Sequence, residues 1–200
     1  MTHLLLCHGF SYSPDYWVHL MPHLPEFTIH HFTDSLIPEM HEPVIGVGHS
    51  LGLIKLIQLE IPYQALIGLN AFVNFLGTDP HLKKRRSLEL KTFENLIKTN
   101  STLAINSFHK RCGVSLEQSC FNQDQLIAEL DLLRTVFPVP DHLTIVGAQD
   151  DIVCPPEILY DNFSPEHIIM LESGGHGLGY KHAEEIASII KKKNNDLDDN

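Results

Sequence analysis

The stretch VIGVGHSLGLIKL, Val44 to Leu56, decides how the rest of the chain is read. It contains Gly48-His49-Ser50-Leu51-Gly52, a Gly-x-Ser-x-Gly pattern. Such a pattern marks a nucleophilic serine when it forms a sharp turn between a strand and a helix. The glycines let the turn close and lift the hydroxyl clear of the sheet. The five letters alone carry little weight. Three fixed positions, each of roughly 7% abundance, recur in about one chain in fifteen of this length. Context therefore decides. PVIGV before the motif reads as a buried strand, and LGLIKLIQLEI after it as an apolar helix stopping near Pro62. Both requirements are met, and a helix N-terminus beneath Ser50 favours developing negative charge.

A nucleophilic serine needs a base and an orienting acid, in this arrangement in the chain order serine, acid, histidine, each just past a strand. TIVGAQDDIVCPPE puts Asp150 and Asp151 directly after an apolar run, and IIMLESGGHGLG puts His176 in a glycine-rich loop after the last one. Asp150 is the expected orienting acid. Asp151 is expected to point outward or to cap the following turn, with Glu172 a second alternative. Oxyanion stabilisation needs backbone N–H donors. One is expected from Leu51, directly after the serine. The other is expected from Phe10, in the CHGF turn after the first strand, where Gly9 permits close approach and His8 braces the turn.

Outward from these motifs, apolar strands alternate with helices. HLLLC, FTIHHF, PVIGVG, ALIGLNA, HLTIVGA and HIIML read as strands, and SPDYWVHLMPHL, PPEILYDNF and YKHAEEIASIIKKK as helices. That alternation predicts an α/β fold, a mostly parallel sheet of about six strands with helices on both faces. One block breaks it. RRSLELKTFENLIKT, TLAINSFHKRC and QDQLIAELDLLRTVF have helical periodicity and little strand character. Residues 73–140 are therefore read as a helical cap inserted at the carboxyl edge of the sheet, where open α/β folds bind ligands. The core is expected over residues 1–72 and 141–193, and residues 194–200, NNDLDDN, as a disordered tail.

Composition narrows the function classes. The chain has 200 residues, a formal net charge of −11 and 43% hydrophobic residues. That acidity argues against nonspecific nucleic-acid binding. No apolar run approaches the ~20 residues needed to cross a bilayer, and the N-terminus reads as a buried strand rather than a signal peptide. Cys7, Cys112, Cys120 and Cys154 show neither CxxC pairing nor metal-ligand spacing, so reduced thiols in a cytoplasmic protein are expected. No HxH or HExxH spacing suggests a metal, and most of the 14 histidines are read as packed or solvated. Charge is uneven, however. Between His81 and Arg111, eight bases (Lys83, Lys84, Arg85, Arg86, Lys91, Lys98, Lys110 and Arg111) face only Glu89 and Glu94. An acidic chain with one basic segment invites an acidic partner there, although each cation alone also suits a solvated helix face.

Taken together, LLLCHGF…YW, GVGHSLG, IVGAQDDIVCPP and ESGGHG resemble the α/β-hydrolase superfamily along nearly the whole chain. Within it, LIGLNAF followed by a cap of about 65 residues, and FENLIKTNSTLAINSFHKRCG inside that cap, look like the pimeloyl-ACP methyl ester carboxylesterases of biotin synthesis, the BioH type. The resemblance implies a minimal α/β-hydrolase fold and a serine carboxylesterase using Ser50, Asp150 and His176, with Phe10 and Leu51 at the oxyanion. It implies that Phe93, Glu94, Asn95, Leu96 and Ile97 line the acyl channel. It also implies that acyl carrier protein docks on the eight basic cap residues, and that no cofactor or metal takes part. A monomer without nucleic-acid or membrane partners is expected. The chain departs from the type in having Phe10 where tryptophan is usual, and in starting at the strand bearing CHGF, without the antiparallel strands that often open this fold. The divergent esterases that replace the BioH type, C–C hydrolases or lyases of the menaquinone-pathway type, short-chain acyl esterases or thioesterases, and a non-catalytic binding protein of the same fold remain as alternatives.

Overall fold

A computed structural model describes residues 2–32, 44–116 and 122–198. Its centre is a six-stranded sheet formed by β1 (His3–Cys7), β2 (Thr28–His31), β3 (Val44–His49), β4 (Tyr63–Leu69), β5 (Leu143–Ala148) and β6 (Ile168–Leu171). The strand order is β2-β1-β3-β4-β5-β6 and every pairing is parallel. The apolar runs require this: a strand covered on both faces has no side to give to water. Along β1, Leu5 and Cys7 enter one core while Leu4 and Leu6 enter the other.

The two faces are covered differently. On one lie α5 (Leu178–Lys181), α6 (Ala183–Asp198) and two short 3₁₀ turns, Pro14–Trp17 and Met21–His23, with Trp17, Leu20, Ile186 and Ile190 fully buried. These turns replace the single helix expected over SPDYWVHLMPHL, because Pro22 lacks the N–H that would continue it. On the other face lie α1 (Leu51–Ile57), α2 (Pro80–Cys112), α3 (Gln123–Leu132) and α4 (Pro156–Asn162). Helix α1 ends before Pro62, through Gln58 and a positive φ at Glu60. Helix α6 runs on to Asp198, across most of the expected tail. No glycine or proline interrupts residues 183–198, so nothing local ends the helix earlier.

The first two cap helices follow one another directly in α2 and are separated at Asn100, as the sequence reading expects. Asn100 (φ −157, ψ 83) breaks the helical backbone, and its side chain caps the second half by accepting from the Leu103 N–H at 3.0 Å. The cap does not form a core of its own. Leu90, Ile97, Ile105, Leu126 and Leu130 join the same cluster as Leu5, Leu53 and Ile145 of the sheet and α1. Its neck is closed by the Phe137 N–H donating to the Val73 carbonyl at 2.9 Å. No helix among the described residues is long and apolar enough to cross a membrane.

Candidate active site

Strand order reverses between β1 and β3, so the carboxyl ends of these neighbours diverge and leave a crevice. Both sequence motifs fall there. Ser50 follows β3 directly and adopts φ 54, ψ −121, a region a β-carbon rarely enters. The flanking glycines make this possible. A β-carbon on Gly48 would lie 2.4 Å from the Leu53 nitrogen, and one on Gly52 would lie 2.2 Å from the Cys7 carbonyl oxygen. Helix α1 can therefore start immediately beneath Ser50 and press against the end of β1.

The Ser50 hydroxyl lies 3.0 Å from His176 Nε2. His176 Nδ1 lies 2.7 Å from Asp151 Oδ2, with both side chains fully buried. The acid on the histidine is thus Asp151 and not the expected Asp150. The reason is the turn. Asp151 N–H donates to the Ala148 carbonyl at the end of β5, which swings the Asp151 side chain inward. Its Oδ1 accepts the N–H groups of Val153 at 2.7 Å and Cys154 at 2.9 Å. Asp151 therefore does cap the following turn as expected, while also facing the histidine. Asp150 is exposed and accepts the Gly175 N–H at 2.7 Å, holding the loop that carries His176. Glu172 is exposed to solvent.

Burial alone raises the Asp151 pKa. The charge and hydrogen bond of His176, with the N–H groups of Cys154 and Val153, outweigh it and hold the carboxyl below its ordinary value. The imidazole is thereby fixed with its proton on Nδ1, leaving the Nε2 lone pair for the serine.

Two further residues brace this chain. Asn70, just past β4 and fully buried at φ 50, donates to Asp151 Oδ2 at 2.6 Å and to the Gly175 carbonyl at 3.1 Å. His49, the variable position before Ser50, donates from Nε2 to the His176 carbonyl at 2.7 Å and stacks on Tyr16 at 4.3 Å. Its Nδ1 is then a buried lone pair without a partner among the described residues. Burial, then the neighbouring His176, pushes the His49 pKa well below the usual imidazole value, so the ring stays neutral. Sequence reading missed both roles. The one available signal was position: each residue directly adjoins the end of a central strand.

Phe10 and Leu51 border the same pocket as Ser50. Leu51 opens α1, so its N–H has no acceptor within the helix. The turn bearing Phe10 is braced twice. His8 Nδ1 donates to the Gly9 carbonyl at 3.0 Å, and Ser11 lies 3.0 Å from His109 Nε2 on α2.

The pocket has a volume of about 380 Å³, within the range of small-molecule sites. Its wall is largely aromatic and aliphatic, with Phe72, Phe75, Phe93, Phe108 and Leu130 prominent. Of the expected channel residues, Phe93 and Leu96 reach it. Glu94, Asn95 and Ile97 do not. Ile97 points into the core, Asn95 is exposed, and Glu94 pairs with Lys98 and, at 2.7 Å, with Arg134. A helix presents one face inward, so five consecutive residues cannot all line one channel. Of the eight basic residues, Arg85, Arg86 and Arg111 border the pocket. Lys83, Lys84, Lys91 and Lys110 are exposed elsewhere on α2, and Lys98 is held by Glu94.

No protein-family model matches the chain, and no curated protein matches it. Solved structures do. A lipase-esterase related protein from Clostridium acetobutylicum superposes with a TM-score of 0.67 at 16% identity, over 96% of this chain and 93% of that one. A pyrethroid hydrolase from Sphingobium faniae gives a TM-score of 0.63 at 16% identity, over 96% of both chains. BioG from Haemophilus influenzae gives a TM-score of 0.62 at 14% identity, over 89% of this chain and 90% of that one. At these identities the likeness carries the fold alone, and that fold is the minimal α/β-hydrolase fold.

Proposed function

We propose that this chain is a serine carboxylesterase, and that its substrate is the methyl ester of a pimeloyl chain carried on acyl carrier protein. One observation carries the esterase reading: the hydrogen-bonded chain Ser50–His176–Asp151 ends at an apolar pocket that Ser50 itself borders. In this mechanism His176 Nε2 takes the Ser50 proton as Oγ bonds to the ester carbonyl carbon. Asp151 keeps the imidazole oriented and stabilises its cation. The N–H groups of Phe10 and Leu51 stabilise the oxyanion, a contribution of roughly 3–4 kcal/mol for a strong donor. Methanol leaves with the proton from His176. Water, deprotonated by the same imidazole, then releases the acid and restores Ser50.

The carrier part of the proposal is supported by the exposed cations of α2, which present a basic face on an acidic protein. Turnover of methyl pimeloyl-ACP and of a small p-nitrophenyl ester tests both parts. Ser50→Ala is expected to abolish both activities, and retained activity would refute the assigned nucleophile. The pair Lys84→Glu/Lys91→Glu is expected to weaken only the carrier-borne reaction, more so at low salt. Equal losses on both substrates would remove the carrier from the proposal.

A further inference from the structure

We propose that Arg86 forms an anion subsite inside the pocket, and that the protein also hydrolyses free half-esters of dicarboxylic acids, whose distal carboxylate pairs with this guanidinium. The inference rests on the serine-esterase reading and extends it to substrates without a carrier.

Arg86 is only 3% exposed, yet it borders the same pocket as Ser50. Among the described residues its one hydrogen bond is from Nη1 to the Phe75 carbonyl at 3.2 Å. Among the described residues no carboxylate lies within ion-pair distance of it. Asp161 is the carboxylate that influences it most, after the Cys154 thiol, but it stands across Gly77 beyond ion-pair distance and accepts instead the Thr78 N–H at 2.8 Å and the Thr78 hydroxyl. A guanidinium offers five donors in a planar fork matched to a carboxylate. A buried charge without its partner is costly, and a ligand anion removes that cost. The pocket is the open side from which such an anion can come.

The rest of the wall agrees. Arg111 also borders the pocket and forms no ion pair or hydrogen bond with described residues. Arg85 borders it too, shared with Glu89 at 3.7 Å. The rest of the lining is mostly phenylalanine, leucine and other aliphatic side chains, with Glu89 and Ser107 as its further polar members. An apolar methylene chain with an ester at one end and a carboxylate at the other matches this distribution. Its reaction balances as for any ester. The Ser50 Oγ–acyl bond forms, the acyl–alkoxy bond breaks, the alcohol departs with the His176 proton, and water then yields the dicarboxylate.

The test compares mono-p-nitrophenyl adipate with p-nitrophenyl hexanoate, which lacks the distal carboxylate. Wild type is expected to favour the half-ester by about tenfold or more in kcat/KM, mainly through KM. Arg86→Met is expected to collapse that ratio, and Arg86→Lys to restore part of it. A merely structural Arg86 would lower both activities and leave the ratio intact, which would overturn the proposal. So would the absence of any preference in wild type. So would a loss confined to methyl pimeloyl-ACP, which would assign Arg86 to the carrier's arm. Failure of the esterase reading itself is seen separately, as hexanoate hydrolysis that survives Ser50→Ala.

Discussion

Asp150 and Asp151 are neighbours in sequence and stand on opposite sides of one turn. Asp150 faces solvent and holds the Gly175 N–H, whereas Asp151 is buried on His176. Asp151→Asn keeps the shape but stabilises the wrong imidazole tautomer. Its kcat is expected to fall by about 10⁴-fold, the size of that change in a serine-protease triad. Asp150→Asn loosens one loop hydrogen bond, and its kcat is expected to change by less than about tenfold. Steady-state kinetics of the two variants check this, and the reverse ranking would refute the assignment. The pair Asp-Asp after a strand was legible in the sequence, but the choice between them was not. Strand alternation stops at Ala148, and a tight turn can present either residue inward. Asn70 was hidden for a related reason. Its importance lies in a bond to Asp151, distant in sequence, and in a left-handed backbone that asparagine tolerates.

At the level of elements, the helix after the nucleophile is tied to the cap. Lys55 on α1 donates to Glu129 on α3 at 2.6 Å, and both side chains are nearly buried. Removing one partner strands a charge in the core, so Lys55→Met is expected to destabilise by about 3–5 kcal/mol. Lys55→Met/Glu129→Leu is expected to recover most of that loss, since apolar residues of similar volume need no partner. Urea unfolding of the two singles and the double measures the cycle, and additive losses would show that the pair is not coupled. Element types were largely readable from hydrophobic periodicity, which reports how many faces of a segment are covered. The boundaries were less readable. Residues 14–23 read as one helix because their apolar spacing suits a helix or two short turns, whereas the break at Asn100 was legible, since the polar pair Asn100-Ser101 interrupts the apolar pattern and the asparagine caps the second helix.

Over the whole molecule, stability depends on keeping buried imidazoles neutral. Burial lowers the pKa of His109 and, more strongly, of His49, where His176 adds to the effect. The unfolded chain then binds these protons first. The contribution is complete above the usual histidine value of about 6.5 and is lost as pH falls below it towards the depressed folded values. Tm is therefore expected to drop between pH 7.5 and pH 5, and His49→Gln, which retains a donor for the His176 carbonyl, is expected to flatten that slope. An identical pH profile for the variant would refute the role of His49.

The apolar wall of the pocket is also the core of the protein. Phe10, Leu51, Phe72, Leu90, Leu130, Leu133 and Ile158 border the cavity beside Ser50 and belong to the cluster that covers one face of the sheet. Truncating such a side chain to reshape the pocket removes core packing, at a cost of about 2–5 kcal/mol for a leucine or isoleucine cut to alanine. A domain of this size has only ~5–15 kcal/mol to lose. Substrate range in this protein is consequently least free to drift at its apolar wall. It is freest at exposed, polar rim positions such as Arg85, Ser107 and Arg111, where a side chain can change without unpacking the sheet beneath it.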